Sequence, residues 1–123
     1  MTEVLALGLA SVAGAFFPFV SPWIGALGAF MTGSNTNSNV VFALLQRRTA
    51  EVLRLSVAWI LAAQTAGGAV GSVIAPTKLI VGASTTGLAG EEGRILRALA
   101  GYIAALLCMI SLALGLLVWL GLV

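Results

Sequence analysis

Gly33-Ser34-Asn35-Thr36-Asn37-Ser38-Asn39 is the densest polar run in the chain, and apolar sequence flanks it on both sides. Two surroundings suit such a run: a loop in water, or a polar device inside a membrane. The lengths of its flanks bear on the choice. Pro22 suits the first position of a helix, and the eleven or so residues from Pro22 to Thr32 reach about 17 Å at 1.5 Å per residue. Val40 to Gln46 reaches roughly 10 Å before Arg47-Arg48. Neither length covers a hydrocarbon core of about 30 Å. Two short apolar arms joined by a polar tip predict a re-entrant hairpin over residues 22–46 with its tip at 33–39. Non-helical backbone at depth is tolerated only where protein buries it or where it lines a cavity, so a polar tip implies a polar guest. An extramembrane loop between two short helices is the competing reading.

Composition sets the class. Of 123 residues, 60% are hydrophobic and 8% charged, and the mean hydropathy is +1.11. Such a chain cannot coat a soluble globule with polar surface, which predicts an integral membrane protein. A net charge of +2 from six scattered basic residues offers no face for nucleic acid. The chain has one cysteine, no histidine and no aspartate. Internal disulfides, imidazole catalysis, histidine metal sites and an aspartate proton relay are thereby excluded. Cys108 reads as a small buried hydrophobe. No cofactor is implied, and the want of a nucleophile–base pair argues against an enzyme. Met1-Thr2-Glu3 leads into apolar sequence without a basic n-region, so a cleaved secretory signal is not expected.

The remaining segments follow from punctuation. A first transmembrane helix is predicted at 4–18, stopped by Pro18 and Pro22, which lack amide donors and disfavour helix in the residue before them. Ala6, Ala10 and Gly14 recur at the four-residue spacing that lets membrane helices approach closely. Residues 51–75 form a second span with Gln64 and Thr65 midway; Gly67 and Gly71 make a GxxxG pair, and the doubled Gly67-Gly68 fits either tight packing or local unwinding. Ala75-Pro76 marks a break, residues 76–86 are a short helix or loop, and Gly90-Glu91-Glu92-Gly93 is a solvated turn. Residues 94–122 form a third span anchored by Arg94, Arg97 and Trp119. The expected fold class is an all-α membrane protein with about three transmembrane helices and one re-entrant helical hairpin. Arg47, Arg48 and Arg54 on one side against Arg94 and Arg97 on the other leave its orientation open.

Several stretches together carry a family likeness. The runs Gly25 to Asn39, Leu45-Gln46, Ala62 to Lys78 and Val81 to Thr85 resemble the C-terminal part of the L-lactate permease family, over roughly residues 15–102. The resemblance implies a multi-pass bacterial inner-membrane protein that takes up L-lactate, and also D-lactate and glycolate, together with protons. It further implies that this chain is a truncated piece whose partners are the bilayer and the remainder of the transporter. Ser34-Asn35-Thr36 is similar to the hairpin-tip signature of the divalent-anion sodium symporters, in the same broad ion-transporter superfamily. There two inverted repeats each supply a re-entrant hairpin and a broken helix, and by that analogy this chain is most of one repeat.

Lactate presents a carboxylate beside a hydroxyl. Serine, threonine and asparagine supply donors for the first and mixed groups for the second without adding charge. A helix starting near Asn39 turns its free amides and positive dipole end toward the tip, which favours an anion. Ser34, Asn35, Thr36 and Asn37 are therefore the candidate substrate-binding residues, with Ser38 or Asn39 capping the following helix. Gln64 and Thr65 are further candidates, although an amide on a spanning helix also serves to bond a neighbour. Lys78 lies in the first turn of any helix opened by Pro76, where a cation asks for a nearby anion; alternatively it snorkels at the far interface. Glu3, Glu51, Glu91 and Glu92 all fall near helix ends, so a proton-binding group is expected outside these residues. The rival functions are a non-transporting membrane subunit whose Gly/Ala faces serve association, and a transporter of other carboxylates.

Overall fold

The computed structural model describes residues 1–123, and its regular structure is entirely helical. Helix α1 spans Thr2–Ala13 and a 3-10 turn at Gly14–Phe16 joins it to α2, Phe17–Thr32. Then come α3 at Asn35–Val52, α4 at Val57–Gly71 with a 3-10 extension Ser72–Ile74, α5 at Pro76–Thr85 and α6 at Glu92–Trp119. Three helical stretches are long and apolar enough to cross a membrane: Thr2–Thr32, Val57–Ile74 and Glu92–Trp119. The chain is an all-α membrane protein with three such stretches; the first joins the expected span at 4–18 and the first arm of the expected hairpin across the Gly14 turn, and the second begins at Val57 rather than at 51.

Element bounds depart from expectation in ways that local chemistry explains. Helix α2 begins at Phe17 and carries Pro22 in its interior. Pro18 lies in its first turn, where a missing amide has no partner to lose. The chain bends instead at Gly14, whose φ of 47° suits a residue without Cβ. Helix α3 begins at Asn35 rather than near Asn39, because Ser34 is its cap, and it runs on to Val52. With 16 and 18 residues, α2 and α3 reach about 24 and 27 Å, so the half-length arithmetic does not hold. The chain after Ala75 is a helix, since Pro76 is well placed as its first residue. Cys108, expected inside, lies on the exposed face of α6.

The helices pack in a definite register. Helix α3 returns antiparallel to α2: Gln46 faces Ser21, and Ser38 faces Gly25. Helix α4 then runs parallel to α2, with Ile60 beside Ser21, Gln64 beside Gly25 and Gly71 beside Ala26. A Cβ at Gly25, Gly67 or Gly71 would overlap the facing backbone, so the doubled glycine serves packing and α4 stays wound. Helix α6 is antiparallel to both: Trp23 Nε1 donates to Ser111 Oγ at 3.0 Å, and Gly115 accommodates the Phe19 ring.

Apolar layers close the two ends. Phe17, Ala50, Ile60, Ala63 and Leu114 meet at one end, and Ala26, Ile103 and Leu107 at the other. Beyond the second layer, Phe30 shares a groove with Leu96 and Ala100, which sets the α2–α3 turn near the Arg97 end of α6.

Candidate functional site

The α2–α3 turn is two residues long. Gly33, at φ 73°, reverses the chain, and Ser34 in extended geometry accepts the Asn37 amide on its Oγ at 3.3 Å. Thr32 Oγ1 donates back to the Gly28 carbonyl at 2.8 Å, closing the end of α2. Capping thus falls to Ser34, not to Ser38 or Asn39 as the sequence suggested. Asn35, Thr36 and Asn37 form the first turn of α3, and Thr36 and Asn37 are exposed.

This tip meets the break between α4 and α5. A Cβ on Gly33 would stand 3.9 Å from the Cβ of Thr77, so the N-termini of α3 and α5 adjoin. The backbone amides of Asn35, Thr36 and Thr77 make no hydrogen bond within the chain. Three free donors at two positive dipole ends form an anion-favouring corner. Lys78 adds a cation. Its Nζ reaches back across the break to donate to Ser72 Oγ at 2.9 Å, and Ser72 Oγ donates to the Ala69 carbonyl at 2.9 Å. A lysine disfavoured at the start of α5 therefore leans on the electronegative end of α4.

Glu51, Glu91 and Glu92 each have a partner, and Glu92 shares a groove with Pro76 at the start of α5. Glu51 pairs with Arg47 and Arg48 at 2.9 and 3.0 Å, and the hydrogen bond from Arg47, helped by that from Arg48, holds its carboxyl below the usual range. Glu91 pairs with Arg94. Glu92 Oε1 accepts the Gly90 amide at 3.0 Å.

The other two candidates meet the far end of the polar run, at Ser38 and Asn39, rather than the α2–α3 turn. Gln64 is fully buried between α2, α3 and α4, and Thr65 Oγ1 donates weakly to Asn39 Oδ1 at 3.4 Å. Gln64 Nε2 donates to Ser38 Oγ at 3.2 Å, and Ser38 Oγ donates to the Gly25 carbonyl at 2.8 Å. Gln46 Nε2 donates both to Gln64 Oε1 and, at 3.0 Å, to the Ser21 carbonyl. Sequence pattern does not single out Ser21, Ser38 and Gln46 as partners. Ser38 and Gln46 stand eight residues apart, on one face of a helix that starts at Asn35. A later start hides that pairing. Asn35 Oδ1 is enclosed against Gly68 with no hydrogen-bond donor in the chain.

The family model described as L-lactate permease matches residues 1–121. The chain belongs to the L-lactate permease family. Among curated members of the L-lactate permease family, the glycolate permease GlcA of Escherichia coli is 43% identical over 97 residues, covering 79% of this chain and 17% of that protein. The L-lactate permease of Salmonella typhi is 37% identical over 111 residues, which is 90% of this chain and 20% of its own. That of Halalkalibacterium halodurans is 35% identical over 108 residues, 87% of this chain and 21% of its own. The chain thus spans about a fifth of the length of the curated permeases it matches. No solved structure matches it.

Proposed function

We propose that these residues form part of the substrate site of a bacterial inner-membrane permease that takes up L-lactate, glycolate and related 2-hydroxy carboxylates with protons. The observation that carries the reading is the corner where α3 and α5 begin. The amides of Asn35, Thr36 and Thr77 are free at the starts of these two adjoining helices, Lys78 follows Thr77 in α5, and Glu92, which accepts the Gly90 amide, borders Pro76. A carboxylate fits that corner as an acceptor of several donors at once. Ser34, Asn35, Thr36 and Asn37 supply hydroxyl and amide groups for the neighbouring hydroxyl of the substrate. Gln64 and Thr65 back the site rather than line it. The names of the relatives, L-lactate permease and glycolate permease, support the substrate class. Proton coupling rests on family likeness.

In this reading α2 and α3 form a re-entrant hairpin. Helix α3 is not among the stretches apolar enough to cross, and Arg47, Arg48 and Arg54 hold its open end at one interface.

The test is a chimera of the Escherichia coli glycolate permease carrying this chain in place of its matching 97 residues. Labelled L-lactate and glycolate uptake are measured in cells lacking other permeases. Saturable uptake that is lost in Asn35→Ala at equal membrane abundance is expected. Unchanged uptake in that variant refutes the site; altered abundance with unchanged KM favours a non-transporting association role.

A further inference from the structure

We propose that Gln46 and Gln64 are positioning residues that fix the hairpin tip against the α4–α5 break through a hydrogen-bond chain of imposed direction. The direction comes from the backbone. The carbonyls of Ser21 and Gly25 terminate the chain at its two ends, and a carbonyl can only accept. Gln46 must therefore turn its nitrogen to Ser21, which forces Gln64 to turn its oxygen to Gln46. Gln64 then has its nitrogen left for Ser38, whose hydroxyl proton goes to Gly25. Reversing any one amide sets two acceptors or two donors face to face.

All three side chains, Ser38, Gln46 and Gln64, are fully buried, and they tie α3 to both α2 and α4. Ser38 lies one turn from the Ser34 cap, so the lower end of this chain sets the rotation and height of the first turn of α3. Glycine packing brings the backbones of α2 and α4 together and lets Ser38, Phe42 and Asn35 of α3 approach Gly28 and Gly68, but close approach alone does not impose a donor-to-acceptor direction. The amide chain supplies that direction.

The two glutamines therefore differ in what they tolerate. At position 64, a carboxyl still accepts from Gln46 Nε2, and once protonated, as burial favours, its hydroxyl donates to Ser38 Oγ so that Ser38 keeps its bond to Gly25. At position 46, a carboxylate faces two carbonyl oxygens that both accept; protonation supplies one donor for the two, so the acid is tolerated only when protonated and less well than the amide. Nothing ionisable on the surrounding elements alters this contrast. Helices α2 and α4 carry no charged side chain, the charges of α3 are the exposed Arg47, Arg48 and Glu51, and Glu3 of α1 shares a cleft with Arg48 and Glu51, outside the buried amide chain.

The tip can be read without transport. Gly33→Cys with Thr77→Cys, in a Cys108→Ala background, places two Cβ atoms about 3.9 Å apart, within disulfide range; a side chain at the left-handed φ of Gly33 is strained, so every variant is compared with the parent pair that carries the same strain. The whole chain is expressed in membranes, and the rate of mild oxidation of this pair is followed by loss of maleimide mass tagging. Gln46→Leu should slow crosslinking about tenfold, the scale of a lost buried hydrogen bond. Gln64→Glu should leave the rate at that of the parent pair. Gln46→Glu should fall further behind the parent as pH rises from 5 to 8, each pH being normalised to the parent. Parental rates at every pH for Gln46→Glu overturn the proposal, as does slowing by Gln64→Glu equal to that by Gln46→Glu. If Gln46→Leu does not accumulate, the pH course of Gln46→Glu decides. The proposal rests on the substrate-site reading for its relevance to transport alone, so failed uptake in the chimera and failed crosslinking are distinguishable outcomes.

Discussion

Gly67 is pressed against the backbone of Pro22, and a Cβ at that position would overlap the Pro22 carbonyl. The contact joins two parallel helices that are not consecutive in the chain, and it has no flexible side chain to give way. Gly67→Ala should therefore separate α2 from α4 and destabilise the folded chain in detergent by about 2 kcal/mol or more, the scale of an overpacked core. Gly101→Ala on α6 is the control, because a Cβ there meets nothing within 4 Å. It should be neutral or stabilising by about 0.5–1 kcal/mol through helix propensity. Thermal denaturation of the two variants checks the pair, and equal effects would show that the glycine contact is not tight.

Lys78 gives a test of charge and shape together. Its ammonium crosses the α4–α5 break to Ser72 Oγ, a reach and donor geometry that a planar guanidinium does not reproduce. Both Lys78→Arg and Lys78→Gln should lower lactate kcat/KM in the chimera by about tenfold or more. Near-normal uptake by Lys78→Gln would remove this residue from the site, and near-normal uptake by Lys78→Arg alone would reduce it to an interfacial anchor.

The depth of the tip can be probed with single cysteines at Thr32 and Val40 in the Cys108→Ala background. The register against α6 sets the tip toward the Arg97 end, so a membrane-impermeant thiol reagent should reach Thr32→Cys from that side only. Lactate should slow the reaction. Rapid labelling from the Arg54 side, or labelling of both positions indifferent to lactate, contradicts the re-entrant hairpin.

Proton coupling makes a negative prediction for these residues. The Glu51 carboxyl is held below the usual carboxylate range, so it is ionised throughout pH 6–8. A depressed folded value means that its favourable pairing is present above the unfolded value and is lost only as pH falls through the folded one. Replacing Glu3, Glu51, Glu91 and Glu92 together by glutamine in the chimera should leave the pH dependence of uptake unchanged. Uptake that survives but no longer responds to a proton gradient would place the coupling group among them.

The sequence makes the class and the number of spans readable, because an uncharged apolar run has few alternatives in water. It does not reveal the helix starts. Pro18 and Pro22 look like stops until their places in the first turns of α2 are known, and Gly14 shows its role only through its φ. The polar run misleads in a similar way. Seven consecutive capping-competent residues leave the cap ambiguous, and a cap at Ser38 instead of Ser34 moves the start of α3 by one turn. That shift conceals the face shared by Ser38 and Gln46, and with it the amide chain. Gln64 stands out in sequence as an unusual amide in a span, but its partners are 26 and 18 residues away, beyond any local periodicity.

The helices that grip the tip, α2 and α4, contain no ionisable residue, and the bonds between them and the first turns of α3 are all between neutral groups. A part built this way feels almost no force from the membrane potential, whereas each elementary charge carried across it is worth about 2.3 kcal/mol per 100 mV. Lys78 is the one formal charge at the tip. Voltage can therefore act on this region only through that ammonium and whatever ion it holds, and a bound carboxylate cancels even that.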